Sequence, residues 1–282
     1  MKIFYNREEV AKAVKGLKTA GKTIGFVPTM GALHEGHLSL IETALKQNSI
    51  VFVSIFVNPT QFNNQEDLKK YPRDLNADVE MLSSLSECIY VYAPSVDDIY
   101  QDQVVSDNFN FNGLDQAMEG KFREGHFNGV ATVVKRFFEI VTPDNAYFGK
   151  KDYQQLLIIK KLVHLAKIPV NIIGCDILRE SSGLAMSSRN IRLKPECKTA
   201  APFIYKTLMS AKEKFGTKSA NVVTEWVENQ FKNHELLKLE YFTIADTETL
   251  LPAKRKSKQK QYRAFIAVYA DNIRLIDNIA LN

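Results

Sequence analysis

Long apolar runs and paired cysteines are what this chain of 282 residues lacks. No stretch approaches the roughly 18 consecutive apolar residues of a membrane-spanning helix, so none is expected. The opening residues, Met1-Lys-Ile-Phe-Tyr-Asn-Arg-Glu-Glu, carry no apolar core of a secretion signal. Cys88, Cys175 and Cys197 are odd in number and show no paired spacing. That excludes a disulfide framework and fits a reducing compartment. Beyond one short basic run there is no low-complexity segment, and no internal repeat. What remains, 45% apolar and 24% charged residues, is ordinary for a globular protein of one large or two moderate domains. The expectation is a soluble cytoplasmic protein.

The net charge of +5 and the run Lys254-Arg-Lys-Ser-Lys-Gln-Lys260 raise the question of a polyanionic partner. The run lies between two strand-like segments, where a solvated hairpin loop is the simpler reading. No RNA-binding sheet pattern or helix-turn-helix signal accompanies it, so no nucleic acid is expected as partner.

Apolar spacing sets the order of elements. Asn6 followed by Glu9 reads as a capping box, and Val10, Val14 and Leu17 form the stripe of the helix it opens. A strand at Thr23–Val27 precedes a helix carrying Leu38, Ile41 and Leu45 up to about Asn48. Ile50–Val57 is an apolar run broken only by Ser54, as in a parallel strand covered on both faces. A helix near Leu75–Ser84, a strand at Ile89–Tyr92 and a helix over Val130–Val141 follow, then strand, helix and strand at Asn145–Phe148, Tyr153–Lys167 and Val170–Cys175. Such alternation predicts an α/β fold with a doubly wound, Rossmann-like parallel sheet, its ligands beyond the carboxyl ends of the strands. After Ile177 the order changes to helices near Glu196–Phe215 and Ala220–His234, then strands at Lys238–Ile244, Tyr262–Tyr269 and Ile273–Ile276. Residues 1–177 are therefore expected as a Rossmann-like domain and 178–282 as a smaller α+β domain.

Chemistry concentrates at strand ends. In Pro28-Thr-Met-Gly-Ala-Leu-His-Glu-Gly-His37, His34 and His37 fall within one helical turn. Gly31 and Gly36 allow close backbone approach, and a helix beginning near Gly36 offers free N–H groups. Strand, turn and helix N-terminus suit phosphate, and two imidazoles suit charge building on its oxygens. The spacing of three, with Gly36 between, does not fit the helical zinc-protease pattern; two unrelated core histidines are the other plain reading. Asn58 and Gln61, after the strongest strand, can donate and accept, although Asn-Pro also makes a turn by itself. Lys121, Arg123 and His126 sit in a glycine-bearing stretch that is either a lid over an anion or a surface loop. Lys150, Lys151 and Asp152 mark another strand-to-helix junction, where Asp152 can serve simply as N-cap. Met186-Ser-Ser-Arg-Asn190 adds hydroxyls and a guanidinium. Together these point to a nucleoside triphosphate.

Pro28–Leu38 carries an H-x-G-H form of the signature of adenylyl-transferring α/β enzymes related to class I aminoacyl-tRNA synthetases, and Met186–Arg189 is similar to their mobile second signature. With Val57–Phe62, Gly125–Val130 and Phe148–Gln155 in this order, nearly the whole chain resembles the pantothenate synthetase (pantoate–β-alanine ligase) family. The resemblance implies an ATP site of Met30, Gly31, Ala32, Leu33, His34, Glu35, Gly36, His37, Gly149, Lys150, Lys151, Asp152, Leu178, Met186, Ser187, Ser188 and Arg189. His34, His37 and Lys151 would be catalytic, and Gln61, Gln155 and Asn58 would hold pantoate and border β-alanine. It further implies a pantoyl-adenylate intermediate, ATP as substrate with Mg²⁺, and a homodimer. Asp78 is a candidate indirect ligand of the metal, whose protein ligands the sequence leaves unknown. Two positions depart from the family pattern: Lys150 stands where Gln or Glu is expected, and Ser182 where an acid is expected before Gly183. The rival readings are a nucleotidyltransferase of the same superfamily and a basic nucleic-acid-binding protein.

Overall fold

A computed structural model describes residues 1–62 and 65–282. The chain divides into two compact units: Met1–Lys150 with Gln154–Asp176, and Lys151–Tyr153 with Ile177–Asn282. The break after Asp176 lies one residue before the expected one, and Lys151–Tyr153 go to the second unit.

The first unit opens with β1 (Lys2–Phe4), α1 (Arg7–Thr19), β2 (Ile24–Thr29), α2 (Glu35–Leu45) and β3 (Ile50–Ile55). The turn Pro59–Gln61, α3 (Gln65–Lys70), α4 (Leu75–Ser83), β4 (Ile89–Tyr92), α5 (Val96–Tyr100), α6 (Met118–Phe122) and α7 (His126–Val141) follow. It ends with β5 (Asn145–Gly149), α8 (Tyr153–Ala166) and β6 (Asn171–Cys175). The capping box is in place: Asn6 Oδ1 accepts from Glu9 N at 2.9 Å, a contact worth about 1 kcal/mol. The six strands run in the order β1-β4-β3-β2-β5-β6, every pair parallel.

Alternation along β2 and β3 shows why the runs are apolar on both faces. Phe26 and Phe52 enter one core with Val10, Val14, Phe137 and Phe138, whereas Val27, Val51 and Val53 enter the other with Leu38, Ile41 and Leu82. Rings fill the first core, Phe26 lying 5.6 Å from Phe137 between centroids, and Phe137 5.9 Å from Tyr92. β2 has β3 on one side and β5 on the other, so the chain winds outward in both directions from it. The loop after β2 thus leaves the sheet at its topological switch point, where a doubly wound fold opens a crevice. That loop carries both candidate histidines.

The second unit contains α9 (Pro195–Ala200), α10 (Phe203–Thr217), α11 (Ala220–Phe231) and the antiparallel strands β7 (Leu237–Asp246), β8 (Tyr262–Ala270) and β9 (Ile273–Ala280). The single helix expected over Glu196–Phe215 is two, because Pro202 stands between them without an N–H to continue the ladder. Leu208, Ala211, Val223 and Val227 pack with Ile244, Ile266 and Val268 in its core. The basic run lies in the β7–β8 connection as expected, with Lys260 3.1 Å from Asp246. No helix among the described residues is long and apolar enough to cross a membrane.

Candidate active site

After β2 the backbone turns through two left-handed residues, Gly31 at φ 80° and Ala32 at φ 50°. Glycine takes that conformation freely, and Ala32 does so at a cost. Asp78, at the start of α4 and 4% exposed, holds the turn. Its Oδ2 accepts from Ala32 N at 3.1 Å and its Oδ1 from Leu33 N at 2.7 Å. Gly31 N donates to Thr29 Oγ1, which itself donates to Ser54 O. Burial pushes the Asp78 carboxyl above its ordinary range, against the pull of the two N–H groups.

His34 is the N-cap of α2, its Nδ1 accepting from Gly36 N at 3.1 Å. With Nδ1 as acceptor, the neutral ring carries its proton on Nε2. The His37 ring lies 4.1 Å from it between centroids. The sequence places free N–H groups here for phosphate, but those of Ala32, Leu33 and Gly36 are already taken by Asp78 and His34.

Asn58 and Gln61 follow β3. Asn58, 1% exposed, has its whole amide engaged: Nδ2 donates to Gly129 O at 3.1 Å and Gln61 Oε1 at 3.3 Å. Its Oδ1 accepts from Tyr100 at 2.5 Å and Thr60 Oγ1 at 3.2 Å. Asn58 therefore anchors the turn and aims Gln61. Burial keeps the Tyr100 hydroxyl protonated by raising it above its ordinary range. The half-buried Gln61 donates from Nε2 to Met30 Sδ at 2.6 Å, and its carbonyl lies 2.9 Å from His126 Nδ1. Three segments far apart in sequence, at Met30, Gln61 and His126, thus meet in the first unit.

Gly129 makes this approach possible. A Cβ there would lie 2.2 Å from Thr60 O and 2.8 Å from Gln61 N, both backbone atoms that cannot swing away. We expect Gly129→Ala to cost about 1–3 kcal/mol of stability and to displace the Thr60–Gln61 backbone. A thermal unfolding midpoint equal to that of the parent chain would refute this.

The other expected residues divide. His126 is buried at the start of α7, and Arg123 pairs with Glu119 at 3.9 Å. Lys121 lies 5.9 Å from the Phe122 ring. Gln155 is half-buried on α8, while its neighbour Gln154 is buried and pins the preceding loop, donating to Leu114 O and Ala117 O and accepting from Glu119 N. Lys150 Nζ sits 2.6 Å from Asp176 Oδ1, so a carboxylate from the end of the first unit balances the charge that departs from the family pattern.

In the second unit Leu178–Met186 forms a tight hairpin: Arg179 bridges Ala185, Glu180 N donates to Leu184 O, and Met186 N to Leu178 O. Ser182 Oγ accepts from Leu184 N at 3.4 Å, a local turn contact that an aspartate there could also make. Gly183 turns at φ 92°, and a Cβ on it would meet the Tyr205 ring at 2.7 Å. Met186, Ser187, Ser188 and Arg189 follow directly, half-buried, with Ser187 capping the next turn.

No group of three or more His, Cys, Asp or Glu among the described residues could hold a metal ion. Both Asp78 oxygens accept backbone N–H groups, from Ala32 and Leu33.

A family model described as pantoate-beta-alanine ligase matches residues 2–280. The chain is 58% identical over 282 residues to a pantothenate synthetase of Christiangramia forsetii, covering all of both chains. The family is decided by this. The chain belongs to the pantoate–β-alanine ligase family. A pantothenate synthetase of Flavobacterium psychrophilum is 57% identical over 281 residues, again with full coverage of both. The crystal structure of pantothenate synthetase from Thermus thermophilus superposes with TM-score 0.91 at 37% identity, covering 100% of this chain and 99% of that one. Pantoate-beta-alanine ligase from Francisella tularensis, crystallised with beta-gamma ATP and beta-alanine, gives TM-score 0.81 at 37% identity, with 100% and 98% covered. The expected fold and enzyme class stand. Tyr100, Gln154 and the turn-holding role of Asp78 escaped the sequence, since each acts on backbone or amide groups far along the chain.

Proposed function

We propose that this pantoate–β-alanine ligase works through an adenylate. The pantoate carboxylate attacks the α-phosphate of ATP, forming the mixed anhydride and releasing pyrophosphate. The amine of β-alanine then attacks the acyl carbonyl, the C–O bond to AMP breaks, and the amine proton leaves with solvent. Adenylation turns oxide, a poor leaving group, into AMP, a good one.

The observation that carries this reading is the junction of Met30, Gln61 and His126 in the first unit, which follows the His34/His37 turn at the switch point. A neutral amide held by Asn58 suits a hydroxy acid better than a phosphorylated acceptor, which weighs against a nucleotidyltransferase. In this proposal Met30–His37, Gly149–Asp152, Leu178 and Met186–Arg189 take the nucleotide. His34, His37 and Lys151 stabilise charge on the phosphate oxygens as bonding changes. Gln61 and Gln155 hold pantoate, and Asn58 acts by holding Gln61. Magnesium enters as part of the MgATP substrate, on phosphate oxygens rather than in a protein cage. The family resemblance also supports a homodimer and a cytoplasmic location.

Isotope exchange tests the pathway. Labelled pyrophosphate should enter ATP with pantoate alone, and AMP should appear only when β-alanine is added. Product made without such exchange would sink the adenylate route.

A further inference from the structure

Two neighbouring residues of β9, which no motif marks, tie together the segments of the second unit that the proposed reaction uses. Asp277 is 4% exposed and Asn278 2%. Asp277 receives the Arg179 guanidinium on both oxygens, Nη1 at 2.6 Å from Oδ2 and Nη2 at 2.9 Å from Oδ1. Arg179 also donates to Gly183 O at 3.1 Å and stacks 3.7 Å from the Tyr205 ring centroid. The guanidinium therefore ties the turn of the hairpin that precedes Met186–Arg189 to β9. Next to it, Asn278 Nδ2 donates to the backbone carbonyl of Lys151 at 2.8 Å. Asn278 Oδ1 accepts from Arg263, whose guanidinium lies 4.4 Å over the Tyr153 ring. Tyr153 is held in turn by Phe265 and by its hydroxyl donating to Thr247 O. These contacts explain why Lys151–Tyr153 belong to the second unit although their sequence neighbours belong to the first.

We infer that Asp277 and Asn278 are positioning residues for the adenylation step, fixing the backbone of Lys151 and the Met186–Arg189 segment in register on one strand. The role rests on the adenylate reading above. Burying a bidentate ion pair gives little net stability, so its worth lies in a defined geometry. Asn278 reaches 127 positions back along the chain and Asp277 98, which places two distant phosphate-handling segments on adjacent residues of a paired strand. Neither side chain needs to touch substrate for this. Displacing a catalytic group by about 1 Å can cost on the order of 10²-fold in rate.

The test is single-turnover kinetics of each half-reaction. Asn278→Ala should slow pantoyl-adenylate formation by about 10–100-fold and leave transfer from supplied pantoyl adenylate to β-alanine unchanged. In combination with Lys151→Ala it should add nothing further, because Asn278 acts through Lys151. Asp277→Asn should be non-additive with Arg189→Ala in the same way. If Asn278→Ala folds poorly, Asn278→Asp carries the same expectation: it keeps an acceptor for Arg263 and replaces the donor to Lys151 with an oxygen that repels its carbonyl. Folded variants with parent-like adenylation, or losses that simply multiply with those of Lys151→Ala and Arg189→Ala, would overturn the positioning role alone. Absence of adenylation in the parent chain would overturn the functional reading, and this role with it.

Discussion

His34→Asn slows pantoate-dependent adenylation by about 10²–10³-fold while the protein stays as stable as its parent; this is the expected result. The imidazole does two jobs that one substitution can separate. Its Nδ1 caps α2 by accepting from Gly36 N, a contact whose loss costs about 1 kcal/mol of stability. In the proposed mechanism its Nε2–H meets phosphate. Asparagine is a good N-cap and restores the first job without the second. His34→Ala loses both, so its rate deficit should match that of His34→Asn while its unfolding midpoint falls. His37→Ala should show a deficit of the same size. Transfer of the acyl group from supplied adenylate to β-alanine develops its charge on the acyl carbonyl oxygen and the departing AMP, with pyrophosphate already gone, and should be affected less. Single-turnover measurements of both half-reactions, beside thermal unfolding, check this. A His34→Asn protein adenylating at the parent rate would confine the imidazole to its capping role.

The sequence discloses what is local and hides what spans the chain. The buried strands are legible because Ile50–Ile55 is covered on both faces and is apolar at every position but Ser54. The histidine pair is legible because the helical period puts residues three apart on one side. β1 has three residues, too few to show a period of two. Pro202 marks a helix break locally, but apolar spacing continues across it and conceals the break. The long-range anchors leave no local pattern at all. Asp78 grips N–H groups 45 and 46 positions earlier, and any acidic residue on a helix looks the same in sequence. Asn278 resembles an ordinary strand residue until its donor is seen on Lys151. The candidate side chains for chemistry are thus named from local motifs, whereas the contacts that hold them require the fold. Even the free N–H groups inferred for the β2–α2 turn are used internally, because a buried carboxylate satisfies them better than solvent would.

Lys150 and Lys151 are adjacent and carry the same charge, yet their removal should have opposite weight. The Lys150 ammonium is paired with Asp176 at 2.6 Å, and the side chains are 35% and 91% exposed. An exposed pair of this kind is worth about 0–1 kcal/mol, so Lys150→Ala should change the adenylation rate by roughly fivefold at most. Replacement by Gln, the residue type expected at that position, should be equally mild. Lys151 has its backbone fixed by Asn278, which leaves its orientation in the hands of the second unit. In the proposed mechanism its ammonium meets charge that grows on the phosphate oxygens, so its interaction strengthens toward the transition state. Lys151→Ala should therefore reduce adenylate formation by about 10²–10³-fold. Transfer to β-alanine should stay close to the parent rate, since pyrophosphate has already left. Lys151→Arg tests geometry against charge: it keeps the cation but replaces a compact point charge with a planar fork, so only partial recovery is expected. Both half-reactions, measured on proteins with parent-like unfolding, decide the matter. If Lys150→Ala were the more damaging substitution, or if Lys151→Ala adenylated normally, the phosphate role would pass to the paired lysine, and Asp176 would have to release it on binding ATP.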